Sequence, residues 1–230
     1  MAVDEGKLAY LPKFPALPER NARQGFFERA EFEVVVRNLP MSLDELVRFA
    51  YLSGWRRGEI LGLRWEDVDR AAGEVRLTTS KKGEGRALPL EGELAALIER
   101  RWQAREFESR PGEPTLSAFV FHRHGRPLGN FTKAWRAACG KAKVPGKIFH
   151  DLRRTAVRDM IRSGVSQHVA MSISGHRTTS MFQRYNITSA EDKFDALRRC
   201  ASYLEARPEK LDEVSIRTAD SDKLSDSQVN

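Results

Sequence analysis

The stretch HDLRRTAVRDMIRSGVSQHVAMSISGHRTTSMFQRYN, residues 150–186, reads as helices punctuated by glycine. One helix is predicted over about 151 to 163, ending at Gly164, a second over 166 to 174, ending at Gly175, and a short third near 178 to 185. His150 and Arg153 lie three apart at a helix start, so they share a face and point at one anion, where free backbone N–H groups add a positive field. Asp151 with Arg154 reads instead as helix-start charge pairing. Outward from this stretch, further helices are predicted over roughly 130 to 142 and 189 to 206, which makes the second half helical throughout.

The first half is mixed. Residues 1–25 are rich in Pro, Arg and Glu and read as an extended arm. A short helix is predicted over 26 to 39. Ser42 with Glu45 forms a capping-box pattern for a helix running to about Ser53, with the apolar stripe Leu43, Leu46, Val47, Ala50 and Tyr51. After a Gly54 break, a helix over about Arg57 to Trp65 carries Ile60, Leu61 and Leu63. From Gly73 the period changes to two: Val75 and Leu77, a polar KKGEG stretch, then Ala87, Leu88 and Leu90 predict a β-hairpin with a basic tip. A long helix over about Gly92 to Phe107 and a short strand over Ala118 to His122, closed by a turn at His124-Gly125, complete the half. The expected fold is mainly α with a small antiparallel β-sheet (α+β). The domain plan is an arm over 1–25, one domain over 26–206 and a disordered polar tail over 207–230.

The chain has 230 residues, enough for a sizeable core, with 40% hydrophobic and 31% charged residues. No apolar run approaches a membrane span, and the N-terminal MAVDEGKLAY has no signal pattern, so no membrane partner and a cytoplasmic location are expected. Cys139 and Cys200 are expected to be structural thiols. His122 and His124 would share a strand face, but without a cluster to complete a site no metal is expected. A net charge of +7 makes a polyanion partner plausible.

Four segments carry the chemistry, and each alone is ordinary. In YLSGWRRGEILGLRWEDVD, residues 51–69, an arginine between helices is commonly a solvated cation. In TSKKGEGRALPL, residues 79–90, a lysine at a hairpin tip commonly serves solubility. The others are HDLRRTAVRDM at 150–160 and SGHRTTSMFQRYN at 174–186. Their conjunction and order resemble the tyrosine recombinase, or phage integrase, family over about residues 40 to 200. The resemblance implies the tyrosine recombinase catalytic-domain fold and a set of catalytic residues: Arg56, Lys81 with Lys82 as the alternative, His150, Arg153, His176 and the nucleophile Tyr185.

The chemistry explains why such types are needed. Metal-free phosphodiester cleavage leaves the protein to neutralise a pentavalent phosphorus, and the forked guanidiniums of Arg56 and Arg153 suit its non-bridging oxygens, with Arg154 the next candidate. That cationic site lowers the cost of the Tyr185 phenolate. The departing 5′ oxygen needs a proton, which the family draws from the hairpin lysine. His150 and His176 either hydrogen-bond the phosphate or assist the tyrosine proton. No cofactor is expected. The implied partners are double-stranded DNA and other recombinase protomers on it. Two rival readings share many of these residues: DNA relaxation of the type IB topoisomerase kind, and a non-catalytic DNA-binding relic of an integrase. Family members usually precede this region with a helical DNA-clamping domain, and the residues before Met41 are too few and too irregular to form one, as in an excised fragment or a shortened protein.

Overall fold

The computed structural model describes residues 25–77, 85–183 and 190–206. The chain divides into two units, one through Ile187 and one from Thr188. In the first unit, α1 (Arg29–Arg37) and α2 (Met41–Ser53) lead into α3 (Arg57–Leu61) and a 3₁₀ turn at Trp65–Asp67. The strands β1 (Val68–Asp69), β2 (Glu74–Leu77) and β3 (Arg86–Pro89) form an antiparallel sheet in that order. Next come α4 (Glu93–Gln103) and two small hairpins, β4 (Glu106–Arg110) with β5 (Glu113–Leu116) and β6 (His122–Arg123) with β7 (Arg126–Pro127). The remainder is helical: α5 (Thr132–Lys141), α6 (His150–Arg162), α7 (Gln167–Ser174) and α8 (Thr179–Gln183). In the second unit the described element is α9 (Ala190–Glu205), which exposes Phe194, Leu197, Tyr203 and Leu204. The sequence read α9 as the last helix of one domain.

The expected fold class holds, with three small sheets among the described residues rather than one. The stripe Leu43, Leu46, Val47, Ala50 and Tyr51 is buried, and it packs α2 against α6. Trp55, Phe49 and Phe121 meet edge-to-face beside it, with ring centroids 5.5 and 5.6 Å apart. Such fully buried rings each remove enough apolar area from water to contribute about 2–3 kcal/mol.

Several local expectations need correction. α1 starts at Arg29 because residues 25–28 run extended across α6. There the Phe27 amide donates to Thr155 Oγ1 at 2.9 Å, Arg158 donates to the Phe27 carbonyl at 2.8 Å, and Lys147 donates to the Phe26 carbonyl. Gly25 lies against the buried Asp151 carboxylate, where a Cβ would collide. The Ser42–Glu45 capping box does not form: α2 begins at Met41 after Pro40, and Glu45 instead pairs with Arg100 and Arg101 of α4. α3 ends at Leu61, four residues before the predicted Trp65, and α4 ends at Gln103, leaving Glu106–Leu116 to a hairpin turned by Pro111-Gly112. Strand pairing near residue 120 is confined to an Arg64–Phe119 bridge and to β6, whose turn places His124 (φ 50°) and Gly125 (φ 73°) in the left-handed region that a tight hairpin requires. Cys139 is buried, Cys200 is exposed, and burial pushes the Cys139 thiol up to about 11. Among the described residues no helix is long and apolar enough to cross a membrane, and no three metal-ligating side chains cluster.

Candidate active site

Two helix ends make the floor of the site. α2 closes on Gly54 (φ 66°) and α7 on Gly175 (φ 71°), both left-handed, so the last carbonyls of each helix point at the same region with the negative end of the helix dipole behind them. Arg153, three residues into α6 and 3% exposed, reaches both ends: its Nη1 donates to the Gly54 carbonyl at 2.6 Å and to the Ser174 carbonyl. Arg56, the residue preceding α3, donates through Nη2 to the Gly175 carbonyl at 2.9 Å. Guanidiniums bound to carbonyls keep their charge inside the protein at a tolerable cost.

Glu59, the third residue of α3, ties the cations together. It accepts from the Arg56 amide at 2.8 Å and from Arg56 Nη1 at 3.0 Å, and its second oxygen also accepts Arg86 Nη2 at 2.6 Å. The Arg86 guanidinium lies 4.7 Å over the Trp55 ring, and Trp55 Nε1 donates to the Ile173 carbonyl at 3.0 Å. One carboxylate against Arg56, Arg86 and Arg153 leaves the region net positive. Burial raises the Glu59 pKa, but the Arg86 hydrogen bond and the Arg56 contacts outweigh it and hold the carboxyl below its usual range, so it stays ionised.

His176 is 6% exposed, and its Nδ1 lies 2.8 Å from Ser174 Oγ. The serine has one proton, which it donates to the Ala170 carbonyl at 2.6 Å, so His176 Nδ1–H must donate to the serine oxygen and Nε2 carries the lone pair. Burial, then Arg153, Arg56, His150 and Arg86, push the His176 pKa down to about 3. His150, the first residue of α6, keeps an exposed surface. Its pKa is lowered by desolvation and then by Arg153 and Arg154. Both imidazoles are neutral at pH 7.

The structure thus brings Arg56, His150, Arg153 and His176 into one electrostatic neighbourhood. Lys81, Lys82 and Tyr185 lie outside the described residues. Arg154, the alternative clamp, is buried on the same helix. A cleft of about 920 Å³ opens over Arg56, Glu59, Arg86, His168, His176 and Arg177. A more apolar cavity of about 700 Å³ borders His150, but aromatic rings wall it, and Arg56, Arg153 and His176 do not line it. Sequence reasoning missed Arg86, Trp55 and Ser174 as parts of the site. Arg86 carried one signal: it precedes buried Leu88 by two residues, so the strand alternation turns it inward.

The Phage integrase family model matches residues 30–192. The chain is 30% identical over 188 residues to the Shufflon-specific DNA recombinase of Escherichia coli, a match covering 78% of this chain and 44% of that protein. The chain therefore spans less than half the length of that relative. The fold is similar to a lambda integrase dimer bound to a COC′ core site, with a TM-score of 0.61 at 16% identity over 81% of this chain and 55% of that one. It is also similar to the catalytic domain of bacteriophage HP1 integrase, with a TM-score of 0.54 at 19% identity over 81% of this chain and 96% of that domain. The matched region contains every described residue of the arginine and histidine cluster, and the chain belongs to the phage integrase family.

Proposed function

We propose that this chain is the catalytic domain of a site-specific DNA recombinase that breaks and rejoins DNA through a 3′-phosphotyrosyl intermediate, without metal or ATP. The observation that carries the reading is that Arg56 and Arg153 share one net-positive neighbourhood with two neutral imidazoles, Arg56 and His176 opening onto its cleft, in a chain of this family. The guanidiniums take the non-bridging oxygens of the scissile phosphate. Tyr185 attacks phosphorus, its proton passing to a neutral imidazole, and the P–O5′ bond breaks as Lys81 gives a proton to the departing oxygen. The His176 tautomer leaves a lone pair on Nε2 that can accept a hydrogen bond, while the cations that hold its pKa near 3 oppose a second ring proton until a bound phosphate offsets them. Because the phosphotyrosyl bond keeps the energy of the broken linkage, a 5′ hydroxyl from another strand reverses the step and exchanges strands.

The partners are duplex DNA and further protomers on it. The exposed Phe194, Leu197, Tyr203 and Leu204 of α9 offer an apolar stripe for such a protomer contact. Work on DNA places the protein inside the cell, with the nucleoid.

A nicked duplex that traps the covalent step tests the reading. Wild-type protein forms an adduct, peptide mass maps it to the segment Met181 to Asn186, and Tyr185→Phe binds DNA but forms none. An adduct in the Phe variant, or a label on Tyr10, Tyr51 or Tyr203, overturns the assignment. Supercoil relaxation without exchange between sites would make the enzyme a topoisomerase.

A further inference from the structure

The cavity of about 700 Å³ that borders His150 lies between α5 and the turn leading into α6. Its walls are tied together within the protein. Trp135 Nε1 donates to the Lys147 carbonyl at 3.0 Å, joining the helix to the turn, and the Phe149 ring meets Phe131 and Trp135 edge-to-face at 5.3 and 5.6 Å. Ile148, which is 44% exposed, adds open apolar surface. Cys139 also lines the cavity, and burial pushes its thiol up to about 11, as a water-poor surrounding does. The charged lining is all of one sign: Arg57, Arg136 and Lys147, with no carboxylate. Glu31 holds Lys147 at 3.4 Å, whereas Arg57 lies 4.3 Å over the Phe131 ring with neutral Asn130 as its hydrogen-bond acceptor, and Arg136 is exposed. Aromatic and apolar walls with a few placed polar groups are the form of a site for a planar ligand. Such walls accept a base and refuse a phosphate, which would lose its water there, while the cations suit the phosphate joined to that base.

We infer that this cavity takes one unstacked base of the substrate DNA strand, a nucleotide or two from the phosphate held at Arg56. The inference rests on the recombinase reading above for the strand's presence. Its geometric support is that Arg56 and Arg57 are consecutive, the first lining the cleft and the second the cavity. Neighbouring Cα atoms lie about 3.8 Å apart, close to the roughly 3.4 Å of rise per phosphate along one strand. A strand resting on Arg56 therefore passes the cavity at once. The base ring enters beside Ile148 and Phe149, and Arg57 and Arg136 take the flanking phosphates. Unstacking a paired base is costly, and a base already unpaired escapes that cost, so the cavity favours DNA that carries one.

The test compares the binding of the full chain to two duplexes of one sequence, one carrying a single extra unpaired base and the other an extra abasic residue in its place. Both bend and carry the same charge, so only the base distinguishes them. Wild-type protein should bind the first about tenfold more tightly, the scale of one base packed on aromatic side chains. With 5-iodouracil as the extra base, irradiation should crosslink it to the protein, and peptide mass should map the crosslink to residues 131–149. Ile148→Asp, which puts a carboxylate in the apolar wall, should bring the affinity ratio toward one and lower the crosslink yield. Equal affinity of wild type for the two duplexes, or a crosslink that maps elsewhere, overturns the inference while leaving adduct formation at a nick untouched. Crosslinking by free 5-iodo-deoxyuridine monophosphate but not by the bulged duplex also overturns it, and makes the cavity a small-ligand site. Wild-type protein that binds neither duplex at low salt removes the recombinase reading and this inference with it. Base preference with no adduct at a nick removes the recombinase reading alone and keeps the cavity as a base site.

Discussion

Ser174 decides the protonation chemistry of His176. Because its only proton goes to the Ala170 carbonyl, the imidazole has to be the donor between them, and the surrounding cations make a second ring proton costly. This has a consequence for stability. In the unfolded chain His176 titrates near its ordinary 6.5, whereas in the fold its pKa is about 3. Below pH 6.5 the unfolded state takes up a proton that the folded state refuses, so stability is present above 6.5 and falls with acidification by up to about 1.4 kcal/mol per pH unit. His150, lowered in the same direction, adds to the slope. Thermal unfolding followed from pH 7 to 5 should show a steep fall in wild type and a shallower one in His176→Gln. Parallel curves for the two proteins would refute the account.

Helix termini rather than helix bodies build the site. Gly175 illustrates why: its φ of 71° suits glycine, and the Arg86 guanidinium occupies the space where a side chain would start. Gly73 has a similar φ of 65° but nothing within 4 Å of its missing Cβ. Gly73→Ala should therefore cost only the backbone strain, about 1 kcal/mol, and Gly175→Ala about 2 kcal/mol or more, the excess disappearing when Arg86 is also changed to Ala. Denaturant unfolding of the single and double variants measures this, and equal costs for the two glycines would refute it. The same scale shows where periodicity misleads. The apolar spacing through Trp102 to Phe107 continues a helical pattern past Gln103, but Pro111-Gly112 turns the chain and pairs Phe107 with Thr115 in a hairpin. At α2 the Ser42–Glu45 spacing met its rule, yet Arg100 and Arg101 offered Glu45 a charged partner and the cap was lost.

Across the whole molecule, the +7 net charge and the cleft cations predict how DNA would be held under the proposed recombinase reading. If phosphates supply most of the attraction, each neutralised phosphate releases counterions and log affinity falls linearly with log salt, by a slope near 0.9 per contact. Fluorescence titrations of a duplex between about 50 and 200 mM salt should lose at least tenfold in affinity. Salt-independent binding would contradict this electrostatic picture. Arg56→Ala and Arg86→Ala should each lower the slope only modestly, since Glu59 already offsets part of their charge.

The stops at Gly54, Gly164 and Gly175, the buried stripe of α2 and the hairpin strands on either side of the KKGEG stretch were all legible in the linear order, because each depends on residues a few positions apart: a turn needing φ > 0, a period of 3.6, or a period of two. The co-location of Arg56, His150, Arg153 and His176 came from the resemblance of four separated motifs, since no local rule relates Arg56 to a histidine far along the chain. The contacts that give the cluster its character belong to the tertiary structure. Arg153 meets carbonyls 99 and 21 residues away, Arg86 shares a carboxylate 27 residues away with Arg56, and a serine two residues from His176 acts on it only because α7 ends where it does. Periodicity says which face of an element is apolar, but which elements meet, and so which charges share one desolvated space and shift one another's proton affinity, is decided only when the core is packed.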